Sequence, residues 1–192
     1  PFRAEGPAVC LAQPNGLGKR AIGTVRANGP AICDKTLDGH IMSQSHAQVW
    51  LHIVFSTKER RGLLRKESFR TQMFRMLAHH IKECGCVSVS VGGHVDHVHL
   101  LVGLSRTITI ADLVEHVKTE TSKWARKAQE GNALFRWQSG YGAFSVSHSM
   151  KDKVDVYIRS QEQHHATTSF QDECRRLCEK HGIEIDERYV WD

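Results

Sequence analysis

The spacing of apolar and polar positions changes period several times along the chain, and each change marks an element. Val49, Trp50, Leu51, Ile53, Val54 and Phe55 follow Gln48 as a β-rich run, which predicts a strand buried on both faces. Over 66–83, Phe69, Met73, Met76, Leu77 and Ile81 recur at helical spacing among charged residues, so a helix turns one apolar stripe to a core. Gly85 is placed to end it. Val87, Val89 and Val91 alternate, Gly92-Gly93 breaks the run, and His97 to Val102 alternates again, predicting paired strands around a turn. A second helix over 108–129, capped by Thr107 or Thr109, carries Leu113, Val114, Val117, Thr121 and Trp124 on one side. Tyr141 to Ser147 reads as another strand. Ser149 and Asp152 form a capping-box pattern that opens a helix running to His165. A last helix near 169–181 stops at Gly182.

The order β-α-β-β-α-β followed by helices predicts an α+β fold with an antiparallel sheet in the ferredoxin-like, split βαβ arrangement. This fold is expected over 42–192. Residues 1–41 hold all four prolines (Pro1, Pro7, Pro14, Pro30) and no apolar period, so they read as an irregular extension outside it. With 40% hydrophobic and 24% charged residues over 192 positions, one packed domain is the expectation. No apolar run approaches the length of a membrane span and no signal-peptide pattern begins the chain, which reads as a cytoplasmic protein without membrane contact. The six cysteines form no paired CxxC knuckles, so neither a zinc ribbon nor a disulfide framework is expected.

Positive charge is concentrated in 42–165, whereas 166–192 is net acidic. A basic middle segment suits a polyanion. Lys58, Arg60, Arg61 and Arg65 follow the first strand, and Lys118, Lys123, Arg126 and Lys127 mark the second helix; each group either tracks phosphates or forms a solvated face. Trp137, next to Arg136, either stacks on a base or packs in the core.

Two constellations carry chemistry. In GGHVDHVHLLVG (92–103), His97 and His99 are two apart on a strand, so their side chains share one face and can converge on a divalent ion. They are metal ligands or hydrogen-bonded core histidines. His94 and Asp96, nearer the turn, suit structural or supporting roles. In VDVYIRSQEQHH (154–165), Tyr157 and Gln161 are four apart on the capped helix, with His165 a turn further, so a phenol and an amide can approach one site. A phenolic oxygen can attack a DNA phosphodiester and form a covalent phosphotyrosine that a 3′-hydroxyl later reverses. A metal beside it would polarise the phosphate. Each constellation therefore supplies what the other lacks.

VWLHIVFSTKERR (49–61), GGHVDHVHLLV (92–102), GYGAFSVSHS (140–149) and VYIRSQEQHH (156–165) together resemble the HUH single-tyrosine transposases of the insertion-sequence-200-like group. The resemblance implies a C-terminal catalytic helix bearing Tyr157 as nucleophile, with helices otherwise on one face of the sheet. It implies His97, His99 and Gln161 as ligands of Mg2+ or Mn2+. It implies a homodimer that cleaves and rejoins single-stranded DNA with hairpin ends, in which Tyr157 of one subunit can serve the histidines of the other; the sequence leaves that trans arrangement and a cis one both open. Such an enzyme moves a small insertion sequence and sits on the nucleoid when bound. Two imidazoles would by ligand softness favour zinc, so the metal assignment rests on the resemblance. The alternatives are a domesticated relative that cleaves genomic hairpin repeats, and a non-catalytic RNA- or single-stranded-DNA-binding module of the same topology.

Overall fold

The structure is a computed structural model, and it describes residues 46–128, 133–165 and 168–187. The extension expected over 1–41 and the expected domain start at Met42 lie outside the described residues. The elements run β1 (Trp50–Ser56), α1 (Glu67–Glu83), β2 (Val87–Gly93), β3 (His97–Gly103), α2 (Ile110–Lys127), β4 (Gly142–Val146), α3 (Lys151–Arg159), α4 (Gln161–His164) and α5 (Phe170–Lys180). The sheet order is β2-β3-β1-β4 with every neighbouring pair antiparallel, the ferredoxin-like arrangement expected from the element order.

Alternation in the two central strands divides the chemistry of the molecule. Leu51, Ile53 and Phe55 of β1 and Val98, Leu100 and Val102 of β3 enter one core with Phe69, Met73, Leu77 and Ile81 of α1 and Leu113, Val114 and Val117 of α2. The residues between them, His52, Val54, His97, His99 and Leu101, face the other side. There they are covered by the C-terminal helices, which contribute Ile158, Gln161, Phe170 and Cys178 among the buried residues. Helices therefore lie on both faces, two over the apolar core and three over the histidines.

Local chemistry explains most boundaries. Thr109 caps α2 by accepting a hydrogen bond from the Asp112 amide at 3.1 Å, and Gly85 takes a left-handed conformation (φ 70°) just after α1. Trp137 belongs to the core: it is 6% exposed, its indole N–H donates to Thr121 Oγ1 at 2.9 Å, and its ring meets Phe55 edge-on. Lys118 is committed to the loop before β4, where its ammonium donates to the carbonyls of Gln138, Ser139 and Gly140 at 3.1, 3.3 and 2.6 Å.

Two expectations fail locally. Gly92-Gly93 does not interrupt β2, which runs through both, and the turn falls at 94–96. The expected single helix from Ser149 to His165 is a 3-10 turn at His148–Met150, then α3, then α4. Ser149 caps nothing, because its hydroxyl pairs with that of Ser147 at 3.0 Å. The helix breaks at Ser160 (φ −93°, ψ 11°), whose hydroxyl donates to the Tyr157 carbonyl at 3.1 Å and competes with the helical ladder.

Gly92 sets how closely α3 approaches the sheet. A Cβ there would lie 2.1 Å from the Ile158 carbonyl oxygen, a contact only backbone movement can relieve. Gly92→Val is therefore expected to cost about 1–3 kcal/mol and to lift α3. Hydrogen exchange should show amides of 151–159 losing protection while those of β1 and β3 keep theirs; unchanged protection in α3 would contradict this packing.

Candidate active site

His97 and His99 are both fully buried and point from β3 toward the C-terminal helices. Each ring is held from behind. His97 Nδ1 lies 2.7 Å from Asp96 Oδ1, and His99 Nδ1 lies 2.9 Å from His52 Nε2. With Nδ1 of each engaged, Nε2 of each is aimed at a common point. Asp96 thus has the supporting role expected for it. Its carboxyl is held below its usual range: burial works to raise it, and the bond and charge of His97 outweigh that.

α3, α4 and α5 close the other side of this point. Tyr157 sits against His99 and His52, with ring centroids 6.0 and 6.1 Å away. Gln161 is 1% exposed, and His165 joins His97 at 4.3 Å between centroids. Glu173 of α5 reaches into the centre. Its Oε1 accepts from the Tyr157 hydroxyl and from Gln161 Nε2 (3.1 Å), and its Oε2 lies 3.1 Å from His165 Nε2 and 3.3 Å from His99 Nε2. Burial opposes ionisation of Glu173, but the bonds from His165, His99 and Tyr157 hold its carboxyl well below the usual range. The Tyr157 hydroxyl is pushed above its ordinary value, by burial first and by Glu173 second.

The structure brings together Tyr157, Gln161, His97 and His99, and it does so within one chain. Among the basic candidates, Arg60 lines a cleft of about 370 Å³ beside the cluster, with His94, Asp96, His165 and Phe170. Lys58 and Arg61 belong to the same turn after β1. Lys118, Lys123 and Arg126 are carried by α2, whose buried face packs on the far side of the sheet. Besides Lys118, Lys123 bonds Glu120 at 2.7 Å and Arg126 reaches the Phe135 carbonyl at 3.4 Å. An open, aromatic-faced sheet for RNA is not what this face offers, because α3, α4 and α5 cover it.

The family model for IS200-like transposases matches residues 45–161, which includes both histidines, the tyrosine and the glutamine. The chain belongs to the IS200-like transposase family. Among solved structures, a candidate transposase from Deinococcus radiodurans is 22% identical, with 62% of this chain and 98% of that one covered at a TM-score of 0.47. A REP-associated tyrosine transposase bound to a REP hairpin is 15% identical, with 66% and 76% covered, also at 0.47. No curated protein matches this transposase. Among the described residues, no helix is long and apolar enough to cross a membrane.

The donor set of this transposase suits a divalent ion. His97, His99, His165 and Glu173 offer ligand atoms within 4.8 Å of one another. His97 Nε2 and Gln161 Oε1 are buried and lack any hydrogen-bond partner, and His99 Nε2 faces only the Glu173 carboxylate at 3.3 Å, an arrangement costly for a polar atom unless something else occupies its lone pair. Three residues escaped the sequence reasoning in whole or part. His52 was visible as the one polar position inside VWLHIVF. Glu173 lies in the acidic tail beyond the quoted motifs, and helical spacing brings His165 near the site without giving it a role.

His52 also makes the fold sensitive to acid. Burial, then the neighbouring His99, lowers its pKa from 6.5 to about 3. Above pH 6.5 both folded and unfolded chains hold it neutral. Below that, the unfolded chain takes up a proton that the folded chain refuses, so stability falls by about 1.4 kcal/mol per pH unit down to pH 3 from this group. In chelator, the urea midpoint should drop steadily between pH 6.5 and 4, and His52→Phe should shallow that slope. An identical slope in the Phe variant would remove His52 as its source.

Proposed function

We propose that this transposase cleaves and rejoins single-stranded DNA through a 5′-phosphotyrosine at Tyr157, with Mg2+ or Mn2+ held by His97, His99 and Gln161, and so moves a small insertion sequence. The observation that carries the reading is the convergence of one phenol, two back-bonded histidines and an unpartnered glutamine oxygen on one buried point. Asp96 and His52 orient the two imidazoles so that Nε2 of each is the free donor. Glu173 Oε1 holds the Tyr157 proton in a hydrogen bond and fixes the hydroxyl toward the same point. The phenolic oxygen attacks phosphorus and gives its proton up through Glu173 to water, the P–O3′ bond breaks, and the 3′ oxygen takes a proton from water to leave as a hydroxyl; attack by another 3′-hydroxyl reverses these bonds without an external energy source. The chemistry a bound divalent ion supplies is polarisation of the phosphate and stabilisation of charge on the leaving oxygen.

The substrate class we assign is single-stranded DNA flanked by hairpins. Arg60, at the cleft beside the cluster, supports a phosphate-tracking role there. Joining two DNA ends calls for two such sites, which we place in a homodimer whose subunits each hold a complete site. The direct test uses a single-stranded oligonucleotide spanning the element end with its hairpin, labelled at the 3′ end. Label should become covalently attached to the protein, and peptide mapping should place it on Tyr157. Cleavage without attachment, or attachment elsewhere, would overturn the reading.

A further inference from the structure

A second cluster of ligand-bearing side chains lies on the helical layer, across the sheet from the active site. His79, His80 and Glu83 occupy the last turn of α1, and their ligand atoms lie within 4.8 Å of one another. α2 adds His116, whose Nε2 is 3.8 Å from Glu83 Oε2 and whose ring centroid is 5.7 Å from that of His80. That Nε2 is buried and has no hydrogen-bond partner, although the side chain as a whole is 38% exposed. An imidazole nitrogen turned inward from a partly exposed ring, toward a carboxylate it does not bond, is unexplained by packing.

We infer that His79, His80, Glu83 and His116 form a site for a borderline-soft divalent metal such as Zn2+, which would tie the end of α1 to α2. Three imidazoles and one carboxylate are donors that favour zinc, cobalt or nickel over magnesium. Tetrahedral bonds of about 2.0–2.2 Å place neighbouring ligand atoms about 3.3–3.6 Å apart. His79 Nε2 is 3.4 Å from Glu83 Oε1, and His116 Nε2 is 3.8 Å from the other oxygen of that carboxylate, Oε2. His80 Nδ1 and Glu83 Oε2, at 2.6 Å, now share a proton; the ion takes that proton's place and the pair widens. The position suits a cation for a further reason, since the negative pole of the α1 dipole falls at this last turn.

The site is independent of the nuclease chemistry, so it can be read with the active-site histidines removed. In a full-length His97→Ala, His99→Ala chain, titration with Co2+ should give one bound ion per chain, with the intense visible bands of tetrahedral cobalt, and Zn2+ should displace it. Zn2+ but not Mg2+ should raise the melting temperature of that chain. Adding His116→Ala should weaken the cobalt binding by about 10-fold or more, and adding His79→Ala should do the same. Both positions are substantially exposed, so neither substitution threatens the fold. No cobalt uptake by the His97→Ala, His99→Ala chain would overturn the site, as would uptake that His79→Ala and His116→Ala leave unchanged.

Discussion

Tyr157→Phe is expected to abolish covalent attachment of DNA, by about 10⁴-fold or more, because it removes the one atom that forms the new bond. The ring stays. It keeps its edge contacts with His52 and His99, at 6.1 and 6.0 Å, and with His164 at 5.4 Å. Glu173 loses one donor and retains Gln161 and His165, so the change in stability should stay near 1 kcal/mol. Binding of the hairpin oligonucleotide, followed by fluorescence anisotropy, should be nearly unchanged, and only the labelled adduct should vanish. Adduct formed at the parent rate would move the nucleophile elsewhere. Tyr141 could not take over without rebuilding the fold, because its ring packs against the α1–α2 core on the opposite side of the sheet.

The parts of this site that sequence made legible are those governed by short-range periodicity. Alternation on β3 put His97 and His99 on one face and Val98, Leu100 and Val102 on the other, because side chains in a strand must alternate. Spacing of four likewise brought Tyr157 and Gln161 together, and it did so even though the helix breaks between them at Ser160. What spacing could not reveal is pairing between elements far apart in the chain. Glu173 follows Gln161 by twelve positions, on a separate helix, and meets the site only because α5 packs over the histidine face. His52 reads as a lapse in an apolar strand until its bond to His99, across the sheet, is seen. The same limit hides the partners of Lys118: on a helix it reads as a phosphate contact or a solvated cation, whereas its ammonium donates to three carbonyls of a loop twenty residues later.

Removing an imidazole should be second only to removing the phenol in the damage it does, and should reveal which chain completes which site. His97→Ala or His99→Ala takes away a buried Nε2 aimed at the common point. The several kcal/mol of charge stabilisation a divalent ion provides should go with it, lowering metal-dependent adduct formation by about 10³-fold. Gln161→Ala should cost less, because a neutral amide oxygen is the weaker donor, and Asp96→Asn about 10–100-fold, because it disturbs only the orientation of His97. Chelator should silence the parent enzyme, and full activity in excess chelator would end the metal assignment whatever the substitutions do. The same variants separate two architectures of a dimer. Since α3 lays Tyr157 against His99 of its own chain, a Tyr157→Phe subunit mixed with a His97→Ala, His99→Ala subunit contains no intact site, and exchange should restore nothing. Recovery to roughly half the parent activity per dimer would show instead that the tyrosine helix crosses to the partner, since two-fold symmetry would then leave one site whole in every heterodimer.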